Sequence, residues 1–215
     1  MSFNRVNFGC GMTPTPGWVN FDNSFSIKLA SFFWLAKILC KLGIISKQSL
    51  NYISFCKQNK IFWADATKKT FLADQSVDVI YTSHMVEHLD KVEFKNFLIE
   101  VKRLLIPGGT LRIVVPDLEK LVKIYNKNRD ADNFIQATGM CISNPKKMLD
   151  KLKFLFFGFR HHLWMFDSIS LTNFLKKNGF TKIKVLKPGQ TLIVKPGKLN
   201  LRERAHQSLY IEART

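Results

Sequence analysis

Acidic residues are scarce in this chain of 215 residues: 16 Asp and Glu stand against 33 Lys and Arg, a formal net charge of +17. The shortage is regional. Residues 1–60 hold one acidic residue, Asp22, against seven basic ones, and residues 121–215 hold six against eighteen, whereas residues 61–120 are balanced. Such a field disfavours cationic partners. It suits phosphorylated substrates, nucleic acid or an acidic membrane surface, or else belongs to a solvated lysine-rich exterior. Cysteine is sparse too. Cys10, Cys40, Cys56 and Cys141 form no CxxC pair, which excludes a disulfide-stapled scaffold and points to reduced, buried thiols. No His, Cys and Asp cluster has metal-ligand spacing, so no metal is expected. The longest apolar run, residues 29–42, is interrupted by Lys37 and Lys41, and a membrane-spanning helix needs about 20 apolar residues. No secretory signal is read, because a strand-like stretch begins within a few residues of Met1. The expected location is the cytoplasm, with peripheral attachment at the inner membrane surface left open. No repeat or low-complexity linker interrupts the chain. Its apolar content of 46% supports one ordinary core, hence a single domain over residues 1–215.

What is present is an alternation of strands and helices. Residues 5–8 lean apolar and run into Gly9-Cys10-Gly11, residues 18–21 end at Asp22, and residues 61–64 end at Asp65. Residues 77–81 and 111–115 are nearly continuous apolar runs, as in strands buried on both faces. Asp90 and Glu93 have capping-box spacing, and Phe94, Phe97, Leu98, Val101, Leu104 and Leu105 follow with helical period. Pro107-Gly108-Gly109 is expected to end that helix and turn the chain. Asp117 caps a second predicted helix, and residues 168–178 form a third, stopped at Gly179. Residues 181–186 and 209–213 are two closing strands with no helix between them, so one is expected to be antiparallel at an edge. The alternation predicts an α/β fold with a mostly parallel sheet covered on both faces.

Open sheets of this kind bind ligands at the carboxyl ends of their strands. Those ends carry Gly9-Cys10-Gly11, Asp22, Asp65, Ser83-His84 and Pro116-Asp117. A glycine pair lets backbone approach a ligand closely. A carboxylate ending the second strand accepts hydrogen bonds from ribose hydroxyls, and an Asp after the third suits an adenine amine. In this order the residues point to an adenosine-containing cofactor. NAD fits poorly: Pro14 stands where its fingerprint needs a third glycine, and Asp22 comes sooner than the usual spacing of about 20 residues. There is no GxxxxGK[ST] loop for a nucleotide triphosphate.

These segments resemble the class I S-adenosylmethionine-dependent methyltransferases, most nearly a small bacterial group often associated with surface-polysaccharide genes. The resemblance is carried by Asn7-Phe8-Gly9-Cys10-Gly11, Gly17-Trp18-Val19-Asn20-Phe21-Asp22 and Asp65-Ala66-Thr67, then by Ser83-His84-Met85-Val86-Glu87-His88-Leu89, Pro107-Gly108-Gly109 and Val115-Pro116-Asp117-Leu118. It implies a Rossmann-like, mostly parallel seven-stranded sheet with helices on both faces. It also implies S-adenosyl-L-methionine as cofactor. Gly9 and Gly11, with Phe8 and Cys10, would flank its methionine part; Asp22 would hold the ribose; Asp65 and Ala66 would meet the adenine; Ser83 and His84 would lie by the methionine end. Glu87 and His88 would chiefly fix the start of the following segment. One departure is the connection of residues 12–17, with two prolines, where the family places a helix.

Two basic, aromatic stretches lie outside the resemblance, at about residues 24–60 and 130–166, and are expected to form a helical cap over the sheet or to touch a membrane interface. Residues 146–166 are expected to meet residues 24–60 on the acceptor side. Methyl transfer to oxygen also needs a base. His84, His161, His162 and Asp117 are the candidates. His162 is favoured as the base because it approaches from the acceptor side, with His84 beside the cofactor. The chain is therefore expected to O-methylate a saccharide or other anionic acceptor, lipid-linked ones included. An RNA methyltransferase and a non-catalytic binding protein of the same fold are the alternatives.

Overall fold

A computed structural model describes residues 4–141 and 161–215. Seven strands form one sheet: β1 (Arg5–Phe8), β2 (Val19–Asp22), β3 (Ile61–Trp63), β4 (Val77–Ser83), β5 (Leu105–Pro116), β6 (Thr181–Leu186) and β7 (Ser208–Arg214), in the order β3-β2-β1-β4-β5-β7-β6. Every neighbouring pair from β3 to β5 is parallel. β7 is antiparallel to both β5 and β6. The antiparallel strand is thus one place in from the edge, not at it. The connection from β6 to β7, residues 187–207, reverses the chain and places β7 beside β5, leaving β6 outermost.

The core follows from the strand period. In β4, β5 and β7, Ile80, Leu111, Ile113, Val115, Leu209, Ile211 and Ala213 belong to one apolar cluster, and the intervening Val79, Tyr81, Val114 and Tyr210 belong to another. Successive residues of a strand point to opposite faces. On the first face sit α4 (Lys91–Leu104) and α7 (Ser168–Lys177), through Phe94, Phe97, Leu98, Val101, Leu171 and Leu175. Phe8 stacks on Phe21 with ring centres 5.2 Å apart and meets Phe97 edge-on at 5.7 Å. The second cluster is completed by Trp18, Ile193 and Leu199.

α4 begins with the expected box: the Asp90 side chain accepts from the Val92 and Glu93 backbone N–H groups, and Glu93 accepts from the Asp90 N–H. Its end differs from the sequence expectation. The helix stops at Leu104, and Pro107-Gly108-Gly109 lies inside β5, where the register slips between the Val77 and Val79 partners. Pro107 lacks a donor, and Gly108 takes φ +74°. The turn is thus a bulge within the strand.

Between β2 and β3, α1 (Phe25–Ala30), α2 (Phe33–Lys41) and α3 (Lys47–Gln58) form a third apolar cluster with Cys10 and Ile61. α5 (Leu118–Asn128), capped by Asp117, and α6 (Ala131–Ala137), capped by Asp130, follow β5. The larger part of the second basic aromatic stretch, including its proposed meeting with residues 24–60, lies outside the described residues.

Candidate active site

The strand order reverses between β1 and β4, the place where an open α/β sheet leaves a crevice at its carboxyl edge. After β1, Gly9 and Gly11 have φ +70° and +50°. The two glycines serve different ends. A Cβ on Gly9 would lie 2.6 Å from the Met85 side chain, so Gly9 lets the loop close onto the turn after β4. A Cβ on Gly11 would meet nothing within 4 Å. Gly11 thus borders open space, as a ligand approach requires.

Asp22 ends β2 and ties this loop together: one carboxylate oxygen accepts from the Gly11 N–H at 2.9 Å and the other from the Ser24 N–H at 2.8 Å. A carboxylate has about four acceptor sites, so it retains capacity for two hydroxyls. The short connection is held by two buried amides that sequence reasoning passed over. Asn7 donates to Thr15 Oγ1 at 3.2 Å, and Asn20 accepts from the Thr15 N–H while donating to the Thr15 and Trp18 carbonyls. These bonds do the work of the missing crossover helix. Tyr52 of α3 was also missed. Burial, with the Asp22 carboxylate and Cys56 nearby, pushes its phenol pKa well up. Nothing in the local sequence marks it.

Asp65 is committed locally. Its Oδ1 accepts from the Thr67 N–H and hydroxyl at 3.0 and 2.7 Å, and its Oδ2 lies 3.1 Å from Lys68 Nζ. Burial pushes its pKa up, but these partners outweigh that and hold it below the ordinary carboxylate value. Ala66 beside it is half-buried. Ser83 ends β4, and its hydroxyl is buried with no hydrogen-bond partner among the described residues.

The turn after β4 carries a histidine–carboxylate cluster. His84 takes φ +50°. Its Nδ1 lies 3.3 Å from the Arg204 guanidinium, and its Nε2 shares a hydrogen bond with Ser208 Oγ at 2.9 Å. Glu87 and His88 belong to a 3-10 turn, Val86–His88. The Glu87 carboxylate is fully buried, and among the described residues neither oxygen has a hydrogen-bond partner. Its Oε1 lies 3.3 Å from His84 Nδ1 and 3.9 Å from His162 Nε2.

His162 arrives from far along the chain. The backbone N–H groups of Leu163 and Trp164 both donate to the Glu87 carbonyl, and the His162 N–H donates to the Gly139 carbonyl. The His162 ring fills the place a side chain at position 139 would occupy: a Cβ there would stand 2.6 Å from its Nδ1. The same Nδ1 donates to the Thr138 carbonyl at 2.6 Å, leaving Nε2 with its lone pair. Burial pushes the imidazole pKa below its usual value, against the opposing pull of Glu87 and the Thr138 carbonyl. His161 contributes its carbonyl, which accepts from His88 Nδ1 at 3.0 Å. Asp117 is absorbed in capping α5. The fold thus joins His84 and His162 through Glu87, a grouping that local spacing hides.

Residues 45–113 match the model of a methyltransferase domain family. No curated protein matches. Among solved structures, the chain is similar to a SAM-dependent methyltransferase from Methanosarcina mazei (14% identity, 100% of this chain and 93% of that one, TM-score 0.53). It is also similar to one from Archaeoglobus fulgidus (16% identity, 99% and 86%, TM-score 0.51). A third, from Thermotoga maritima, is described as a possible histamine N-methyltransferase (18% identity, 98% and 81%, TM-score 0.50). The sheet therefore has the Rossmann-like fold of these methyltransferases.

Proposed function

We propose that this chain is an S-adenosylmethionine-dependent methyltransferase that O-methylates a saccharide or other anionic acceptor, lipid-linked ones included. The observation that carries the reading is the juxtaposition at one sheet edge of an open glycine, a strand-end carboxylate with spare acceptor sites and a buried histidine–carboxylate cluster. S-adenosylmethionine, when bound, supplies an electrophilic methyl group on a sulfonium sulfur. Gly11 and Asp22, with Phe8, Gly9 and Cys10 shaping the loop, hold the cofactor. Asp65 and Ala66 border its adenine, and Ser83 and His84 border its methionine end. Positioning an acceptor in line with the methyl is the larger part of such catalysis.

His162 then receives the acceptor proton. Its anchored Nδ1 fixes the tautomer, and its lowered pKa keeps Nε2 available near neutrality. The charge of +17 favours an anionic acceptor. The chain acts as one domain, with the segments at 24–60 and 130–166 as a cap. A membrane-facing edge is supported by the exposed Trp34, Ile38 and Leu42 of the α2 region, interleaved with Lys37 and Lys41. No helix among the described residues is long and apolar enough to cross a membrane.

Calorimetry with S-adenosylhomocysteine, followed by methyl transfer from labelled cofactor to saccharide acceptors, tests the reading. His162→Ala is expected to lower turnover by about 10²–10⁴-fold, as removal of a general base does, with cofactor affinity unchanged. Cofactor binding without transfer to any acceptor would favour a binding protein. Tight RNA association with steep salt dependence would favour an RNA substrate.

A further inference from the structure

We propose that Glu87, His88 and His162 form a binding site for one divalent transition-metal ion, which activates the acceptor hydroxyl. The inference deepens the methyltransferase reading and rests on it for the role of the ion, not for its binding. Each of the three residues offers a ligand atom, and these atoms lie within 4.8 Å of one another. Metal–ligand bonds of about 2.1 Å bring donor atoms to roughly 3–4 Å, and Glu87 Oε1 and His162 Nε2 already stand 3.9 Å apart. The remaining closure is within the reach of side-chain torsions.

Three further observations point to a ligand. First, both imidazoles are anchored alike: His88 Nδ1 on the His161 carbonyl and His162 Nδ1 on the Thr138 carbonyl. A carbonyl can only accept, so each Nδ1 carries hydrogen and each Nε2 keeps a lone pair. This is the outer-shell arrangement of metal-bound histidines. Second, the Glu87 carboxylate is fully buried, and neither oxygen has a hydrogen-bond donor among the described residues. The nearest side chain, His84, stands with Nδ1 3.3 Å from Glu87 Oε1, and that nitrogen is shared with the Arg204 guanidinium at the same distance. A buried carboxylate in that state is costly, and a bound cation removes the cost. Third, the cluster is assembled on purpose-built backbone: Gly139, with φ +67°, leaves room for the His162 ring, and Leu163 and Trp164 clamp the His162 segment onto Glu87.

Two imidazoles and one carboxylate with open positions suit first-row ions such as Zn²⁺, Mn²⁺ or Co²⁺. The side chain of His162 is 17% exposed, so the site is reachable from solvent. An ion held there lowers the pKa of a hydroxyl that joins it. The acceptor proton leaves to solvent, the oxygen lone pair forms the new O–CH₃ bond, and the electrons of the broken CH₃–S bond return to sulfur as a neutral thioether. With the ion bound, the Nε2 of His162 is occupied as a ligand, so the ion replaces the direct-base role given to His162 above and promotes the proton loss itself.

The test uses the whole protein after chelator dialysis. Zn²⁺, Mn²⁺ and Co²⁺ are titrated by calorimetry, with the Co²⁺ absorption spectrum as a second readout, and S-adenosylhomocysteine is titrated separately. One ion per chain is expected. His88→Ala and His162→Ala should each weaken it at least about tenfold, given that even outer-shell changes cost about 10–100-fold. Glu87→Gln, if it folds, should do the same. With S-adenosylhomocysteine binding intact in these variants, no saturable ion binding, or binding indifferent to both histidine changes, would overturn the metal site and leave His162 as a direct base. Loss of S-adenosylhomocysteine binding in a chain that still takes one ion would instead defeat the methyltransferase reading.

Discussion

Cys10 and Cys141 carry the same thiol in opposite surroundings. Cys10 is buried between the glycine loop and α3. Burial first, then the Asp22 carboxylate, pushes its pKa up to about 12. Cys141 is exposed. Because the thiolate is the reactive species, iodoacetamide at mildly alkaline pH should label Cys141 promptly and Cys10 only under denaturing conditions. Mass spectrometry of the digested protein reads this directly, and early labelling of Cys10 would mean that the loop opens. Asp22 has two duties at once. Asp22→Ala should weaken S-adenosylhomocysteine by about 1.5–3 kcal/mol, the range for hydrogen bonds to a charged acceptor. It should also lower the melting temperature, because Gly11 and Ser24 lose their partner. Unchanged affinity would remove Asp22 from the cofactor site.

At the scale of elements, α4 and α2 illustrate two kinds of amphipathic helix. α4 buries Phe94, Phe97, Leu98, Val101 and Leu104 against the sheet, and its start depends on Asp90. Asp90→Ala removes the acceptor for two N–H groups and should cost about 1 kcal/mol, a usual figure for an N-cap, as a shifted urea midpoint with unchanged slope. α2 buries Ala36 alone and leaves Trp34 and Ile38 exposed beside Lys37 and Lys41. If that face meets a membrane, wild-type protein should sediment with anionic vesicles, and Trp34→Ser with Ile38→Ser should abolish sedimentation without altering cofactor affinity. Equal sedimentation of the two proteins would place the contact elsewhere.

Across the whole molecule, the antiparallel half of the sheet is pinned by a buried ion pair. Arg112 of β5 and Glu212 of β7 are register partners with a 2.5 Å contact, and Glu212 also accepts from the Thr191 hydroxyl and the Leu192 N–H. Breaking such a pair from one side costs about 3–5 kcal/mol, so Glu212→Gln should lower stability by that order in chemical denaturation. Acid should destabilise the fold by another route. At Glu100, burial raises the pKa, but Arg103 and Thr70 outweigh it and hold the carboxyl below its ordinary value; at Asp167, the Ser170 N–H does the same. A carboxyl whose folded pKa lies below its unfolded one gives stability that is complete above the unfolded value and is lost as pH falls through the folded value. Melting temperature should therefore fall as pH drops through the carboxylate range, with a smaller fall in Glu100→Gln. An equal fall in that variant would assign the acid loss to other groups.

Local pattern was enough for most of the scaffold. The run of β4, the box at Asp90, the cap at Asp117 and the left-handed stop at Gly179 are decided by neighbours within about one turn of helix or one strand, the range over which periodicity and capping act. So were the strand ends that carry Gly9, Gly11 and Asp22, because an open sheet collects them at one edge whatever lies between. The place of β7 inside the sheet was not legible, since strand pairing is chosen by long-range packing. The bulge at Pro107-Gly108-Gly109 was not legible either, because those residues signal a turn whether or not the strand resumes across it. The histidine cluster was beyond reach for the same reason. His162 lies 75 residues after Glu87 in the chain, and only backbone bonds from Leu163 and Trp164, with the space left at Gly139, bring its ring to the buried carboxylate. The sequence by itself determined which side chains could perform chemistry; the tertiary structure decided which of them meet, because a carboxylate and an imidazole act on one another only over a few ångströms.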